Sequence, residues 1–240
     1  MKAIVLTFDD YHPFTLNMLK SYESLWPGHP FEFRVPYNTT IPQKIAKDHR
    51  EETDFVRTDS SIRATVLTLL EDLDDDEWVY WSIDDKYPMR LDTRGVARLA
   101  EWVENGVPDC IDGICFHRAR GLLGGEALGA DVIEESPVKL IARSGFHHIW
   151  LHQFLKVKVL RHLFTGMPQR LSSAKEMDSV KFEIGLPDRF SLYVSSRNQA
   201  VFGESTTRGA VTSNCRAALD ENGIVLPPDF PTTDNEIVIG

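Results

Sequence analysis

Two adjacent carboxylates, Asp84 and Asp85, close a run of strand-forming residues in the segment WVYWSIDDKYP, which spans Trp78 to Pro88. Acidic side chains that emerge at the end of a buried strand can hold a hard divalent cation such as Mg or Mn against a phosphate group. Lys86 follows directly, and an ammonium at that position would neutralise phosphate without a metal. A second acidic pair, Asp9 and Asp10, follows the apolar run from Ala3 to Phe8. His148 and His152 stand four residues apart, a spacing that on a helix puts two imidazoles on one face, where they could bind zinc. Arg208, close to Gly203 and Gly209, could clamp phosphate oxygens where glycine lets the backbone approach.

These groups need elements to carry them. The spacing predicts a buried first strand over 3–8, a helix over about 13–25 that stops before Pro27, and a second strand over 31–35. A third strand is expected over 54–56. Asp59 or Ser60 then caps a helix through Arg63, Leu67 and Leu70. After the strand that begins at Trp78, Asp92 or Thr93 caps a helix that ends at Gly106, and 111–116 forms another strand. Strands and helices alternate with short connections to about residue 118, which predicts an α/β fold with a mostly parallel sheet and helices on both faces. The Gly-rich stretch 121–129 breaks the pattern. Beyond it a helix is expected over 146–164, two short strands over 190–194 and 200–202, and a helix over 207–221 stopped by Gly223. The expected organisation is one domain over 1–240, with a regular half to residue 120, a less regular half over 121–226 and a loosely held tail over 227–240.

The bulk numbers bound the function. A chain of 240 residues with 42% hydrophobic content can bury a sizeable core. A net charge of −10 argues against nucleic acid as the main partner, because binding its backbone needs a basic surface. Three cysteines, Cys110, Cys115 and Cys215, are odd in number and lack metal-type spacing, so free thiols in a reducing compartment are expected. The start, MKAIVLTFDD, is too short and too acidic for a signal peptide, and no apolar run is long enough to span a membrane. The expectation is a cytoplasmic protein with no integral membrane segment.

Taken in order, four segments resemble nucleotide-diphospho-sugar glycosyltransferases of the GT-A type, and together they cover most of the chain. AIVLTF resembles the strand whose end receives the base and ribose, and Ile83-Asp84-Asp85-Lys86-Tyr87 the acidic motif that holds the diphosphate. Phe146 to Trp150, followed by Ala174 to Asp178, resembles the acceptor-side segment and the loop that supplies the base in inverting members. Ala200 to Gly203 with Arg208 and Gly209 resembles the closing segment. The resemblance implies transfer of a sugar from a nucleotide-diphosphate donor to a hydroxyl of a carbohydrate or lipid-linked acceptor, with inversion, in polysaccharide or glycoconjugate synthesis. It implies donor binding by Thr7, Phe8, Asp10, Arg63, Asp84, Lys86 and Arg208, and metal binding by Asp84 and Asp85. Glu176 would be the catalytic base with Asp178 its competitor, and His148 and Trp150 would meet the acceptor, the indole by stacking on a sugar ring. Lys86 stands where the family pattern has a second carboxylate, which leaves the metal requirement open. Thr7-Phe8-Asp9-Asp10 also resembles the opening motif of metal-dependent polysaccharide deacetylases, which implies an alternative zinc site of Asp10, His148 and His152. A binding module that keeps the fold without turnover is the third reading.

Overall fold

The computed structural model describes residues 1–49, 51, 53–117, 132–133, 136–143, 145–146, 148–171, 173–204, 210–226, 230–234 and 238–239. The first half runs β1 (Lys2–Leu6), α1 (His12–Leu25), β2 (Glu32–Tyr37), α2 (Gln43–Asp48), β3 (Thr53–Arg57), α3 (Ile62–Leu69), β4 (Trp78–Ile83), β5 (Lys86–Leu91), α4 (Thr93–Asn105) and β6 (Gly113–Cys115). The second half runs β7 (Val132–Ile133), β8 (Leu140–Arg143), β9 (Gln153–Lys156), α5 (Val157–Gly166), α6 (Ala174–Val180), β10 (Leu192–Ser195), β11 (Ala200–Glu204), β12 (Val211–Thr212), α7 (Ser213–Glu221), β13 (Thr232–Thr233) and β14 (Val238–Ile239).

Among the described residues a nine-stranded sheet has the order β3-β2-β1-β4-β9-β6-β10-β8-β7. β3, β2, β1 and β4 are mutually parallel, β6 and β10 run with them, and β9 and β8 run against them. The expected mostly parallel α/β sheet is therefore present. From β1 the chain builds outward through β2 to β3 and then returns to place β4 on the other side of β1. That reversal makes the carboxyl ends of β1 and β4 a topological switch point, the position where open α/β sheets take their ligands.

Each central strand is covered on both faces, which is why WVYWSI reads as a continuous apolar run. Tyr80 points into one core with Met18, Tyr22, Phe33, Phe116 and Phe202, while its neighbours Val79 and Trp81 point into the other with Val66, Leu69, Val159 and Phe164. α1 and α4 lie over the first face, α3 and α5 over the second. Helix starts follow cap chemistry. Ser61 accepts from the Ala64 amide and Asp92 from the Gly95 amide, so the α3 cap is Ser61, one residue beyond the expected pair.

Three expectations are corrected. The segment 146–164 is not one helix: a turn leads into β9, which pairs antiparallel with both β4 and β6, and only Val157–Gly166 is helical. β9 was hidden because its residues, Gln153 to Lys156, continue the apolar pattern of α5, and a short apolar run does not reveal its period. β5 went unrecognised because Pro88 interrupts it. It lies in a separate three-stranded sheet, order β14-β11-β5, where a missing backbone donor is tolerated at an edge. The tail is stitched down, since β13 pairs with β12, β14 pairs with β11, and Phe230 packs edge-on to Phe14 at 5.0 Å. The Gly-rich stretch lies outside the described residues.

Candidate functional site

The acidic pair occupies the two-residue corner between β4 of the large sheet and β5 of the small one. Pairing between β1 and β4 continues to this corner, where the Asp84 amide donates to the Leu6 carbonyl at 3.2 Å. Asp84 is buried, at 5% exposure, whereas Asp85 and Lys86 are half-buried. Burial, and then the charge of Asp85, push the Asp84 carboxyl well above the usual carboxylate range, while a hydrogen bond from the Thr7 hydroxyl opposes the shift. Thr7 is itself held by the Thr15 hydroxyl, which donates to it at 2.8 Å. The end of β1 and the first turn of α1 thereby grip the acidic residue from below.

The loop after β1 supplies an aromatic shelf. Phe8 is 44% exposed and lies 4.5 Å from Tyr11, centroid to centroid. Burial, then the charges of Asp84 and Asp85, raise the Tyr11 phenol, so the shelf adjoins the acidic corner. Asp9 has a different task. Its carboxylate accepts from the Asn38 amide at 2.7 Å and the Thr39 amide at 2.9 Å, tying the β1 loop to the loop after β2. Burial pushes its pKa up, but the bonds from Asn38 and Thr39 outweigh that and hold it at about 2. Asp10 is exposed on the same turn. Arg63 sits in the first turn of α3, with its Nε buried and without a hydrogen-bond partner among the described residues.

Next to this corner lie the residue after β6 and the approach to β9, joined where His117 Nε2 stands 3.2 Å from the His152 carbonyl. His117 follows β6 and is fully buried, and burial lowers its pKa to about 3. His148, Arg143 and Lys86 all lie near enough to act on its charge. Arg143 donates to Gln153 Oε1 at 2.9 Å, and the Gln153 amide in turn donates to the His148 carbonyl at 2.9 Å. The acidic pair with the half-buried Lys86 directly after it suits a diphosphate carrying a cation. A Mg²⁺ or Mn²⁺ held by one or two carboxylates and completed by substrate phosphate suits this donor set, because the two oxygen-bearing residues at the corner leave positions for the ligand. The negative charge that burial makes costly on Asp84 is the charge such an ion would offset. Among the described residues no cluster of three or more His, Cys, Asp or Glu forms an all-protein metal site.

The other expected residues fall as follows. Glu176 is exposed, and its carboxylate closes a capping box at the start of α6, accepting from the Ser173 amide at 3.1 Å. Asp178 accepts the Trp150 indole N–H at 2.9 Å and pairs with Lys181 at 2.5 Å. Trp150 is half-buried and edge-on to Phe164, and His148 is half-buried in the turn before β9. Arg208 lies outside the described residues. The zinc alternative is contradicted. His152 is fully buried, stands in the approach to a strand and not on a helix with His148, and has both ring nitrogens engaged, Nδ1 with the Tyr22 hydroxyl and Nε2 with the backbone of Ile83.

Sequence reasoning missed Tyr11, His117 and Gln153; Arg143, with Ser144, was expected only as a candidate lining of the acceptor pocket. His117 carried a usable signal, since it follows a strand end just as Asp84 does. Gln153 carried none, because only the reversed strand β9 brings it beside β4 and β6.

No protein-family model matches the chain, and no curated protein matches it. Solved structures share its fold. S. aureus TarS 1–349 in complex with UDP aligns at 14% identity and TM-score 0.50, covering 83% of this chain and 60% of that one. The same protein in complex with UDP-GlcNAc aligns at 13% identity and TM-score 0.50, covering 93% of this chain and 65% of that one. The galactosyltransferase LgtC, in complex with donor and acceptor sugar analogues, aligns at 12% identity and TM-score 0.48 over 97% of this chain and 86% of its own. The chain thus spans somewhat less than two thirds of the length of the TarS structures. At these identities the likeness establishes the fold.

Proposed function

We propose that this GT-A-type fold transfers a sugar from a nucleotide-diphosphate donor to an acceptor hydroxyl. One observation carries the reading: a buried carboxyl, Asp84, stands at the switch point of the sheet beside an exposed aromatic shelf and next to Asp85 and Lys86. Phe8 and Tyr11 offer a face for the nucleobase. Asp84 and Asp85 would hold a divalent ion on the diphosphate, and Lys86 would offset part of the remaining charge. When bound, such an ion supplies Lewis-acid stabilisation of the departing diphosphate. The residues themselves bind and orient the donor and keep water from the buried side of the corner. UDP and UDP-GlcNAc in the TarS complexes make a uridine diphosphate sugar the first donor to test.

Transfer with inversion requires a base on the acceptor side, and α6 with Glu176 is the element assigned to it. The acceptor is a carbohydrate or lipid-linked hydroxyl met by His148 and Trp150. Calorimetry with UDP, with and without Mn²⁺, tests the donor half. Asp85→Asn is expected to weaken binding ~10–100-fold, in line with the loss of a metal-orienting group. Equal affinity in wild type and variant would overturn the assignment of the corner.

A further inference from the structure

Tyr22, Tyr80 and His152 form a buried hydrogen-bonded relay that ends on the backbone of the residue before the acidic pair. The Tyr80 and Tyr22 hydroxyls are 2.6 Å apart, and the Tyr22 hydroxyl is 2.5 Å from His152 Nδ1. His152 Nε2 then stands 3.1 Å from the Ile83 amide nitrogen and 3.0 Å from the Ile83 carbonyl oxygen. All three side chains are fully buried.

The register explains why a side chain is needed there. Trp81 pairs with Gln153, so an unbroken β9 would bring residue 151 opposite Ile83. β9 begins only at Gln153, and Leu151 has already turned away. On the β1 side the backbone is satisfied, because Leu6 faces Ile83 in register and the Asp84 amide reaches the Leu6 carbonyl. On the β9 side the Ile83 amide and carbonyl would be buried polar groups without a strand to meet them, a costly state. The imidazole of His152 stands in for the missing strand.

From this geometry we infer that His152, anchored by Tyr22 and Tyr80, is a positioning residue that holds Asp84 and Asp85 in their binding arrangement. The inference rests on the reading of the corner as the donor site. Tyr22 lies on α1, the helix that carries the Phe8–Tyr11 shelf at its start, and Tyr80 lies on β4, the strand that delivers the acidic pair. The relay thereby sets the shelf and the corner to one common reference. The ring is neutral, since burial lowers its pKa to about 3. A neutral imidazole has one N–H and one lone pair. When Tyr22 donates to Nδ1, Nε2–H serves the Ile83 carbonyl; when Nδ1–H donates to Tyr22, Nε2 accepts from the Ile83 amide.

The test uses the full chain with two substitutions at position 152. Gln offers a donor and an acceptor at about the same reach, whereas Leu offers neither. Hydrogen–deuterium exchange in the ligand-free protein is expected to show the 83–86 corner protected in wild type and in His152→Gln, and opened in His152→Leu. UDP affinity in Mn²⁺ is expected to fall ~10–100-fold in His152→Leu and to recover in His152→Gln. A purely structural role would lower the melting midpoint without a local change at the corner or a change in UDP affinity of the folded protein. Unaltered exchange at the corner in His152→Leu overturns the inference whatever the ligand result. If instead exchange changes as expected and wild type binds no nucleotide diphosphate, the positioning stands and the donor reading falls. Should His152→Leu fail to fold, Tyr22→Phe cuts the anchor alone and is read by the same two measurements.

Discussion

Burying Asp84 next to Asp85 costs the empty protein stability that a bound cation would return. The folded pKa of Asp84 is raised above its ordinary value of 3.8, so its stabilising contribution is complete below that value and is lost as pH rises through the folded pKa. At neutral pH the group is a net burden. Asp84→Asn keeps the shape and can still accept from Thr7, but removes the charge. The melting midpoint of the ligand-free protein at pH 7.5 is expected to rise, by about 2–4 °C for each kcal/mol relieved, while UDP binding is lost. A midpoint that falls or stays constant in differential scanning calorimetry would show that Asp84 bears no such burden. Asp9, one strand end away, is the opposite case. Its carboxylate is ionised and fully employed in bonding the loop after β2, which is why two acidic pairs that look alike in sequence do different work.

Helix α6 separates a local role from a catalytic one. Its capping box joins Ser173 and Glu176, so Ser173→Ala is expected to destabilise the protein by about 1 kcal/mol in urea unfolding. Glutamine also completes a capping box, and Glu176→Gln should therefore leave stability unchanged. Turnover then isolates the chemistry: a base at this position predicts a loss of ~10²–10⁴-fold, and unchanged transfer assigns the carboxylate to the cap alone. At this scale the sequence was legible where one element announces itself. The strand Trp78–Ile83 with its acidic corner, the stop of α7 before Gly223 and the alternation to β6 follow local rules of period and punctuation, whereas α7 starts at Ser213 behind the Thr212 cap and the strand β12, not at 207 as expected. β9 was illegible because its identity depends on two partners far away in the chain. His152 was accordingly read as half of a zinc pair, since the i, i+4 spacing has meaning only on a helix.

For the molecule as a whole, His117 and His152 make the fold sensitive to mild acid. Both are held neutral by burial with pKa values near 3, against an ordinary value of 6.5. The unfolded chain takes up protons at these sites as pH falls below the ordinary value and the folded chain does not, so stability is lost with falling pH. Urea unfolding at pH 7.5 and pH 5 is expected to show a loss of about 2 kcal/mol for each of the two residues. Replacing His117 by Gln should flatten that slope by about half. An unchanged pH dependence would place the acid sensitivity elsewhere.

The reversed strand in the middle of the sheet has a further consequence for how the chain comes together. β4 finds one neighbour early, in β1, but its other edge is closed only by β9, and Gln153 comes 70 residues after Ile83. During synthesis that flank stays open until the later segment arrives, and a hydrophobic ribbon with unmet amides invites pairing with the wrong chain. The same stroke that seals this flank also brings His152 to Ile83, so the pocket is completed at the moment the sheet ceases to be adhesive.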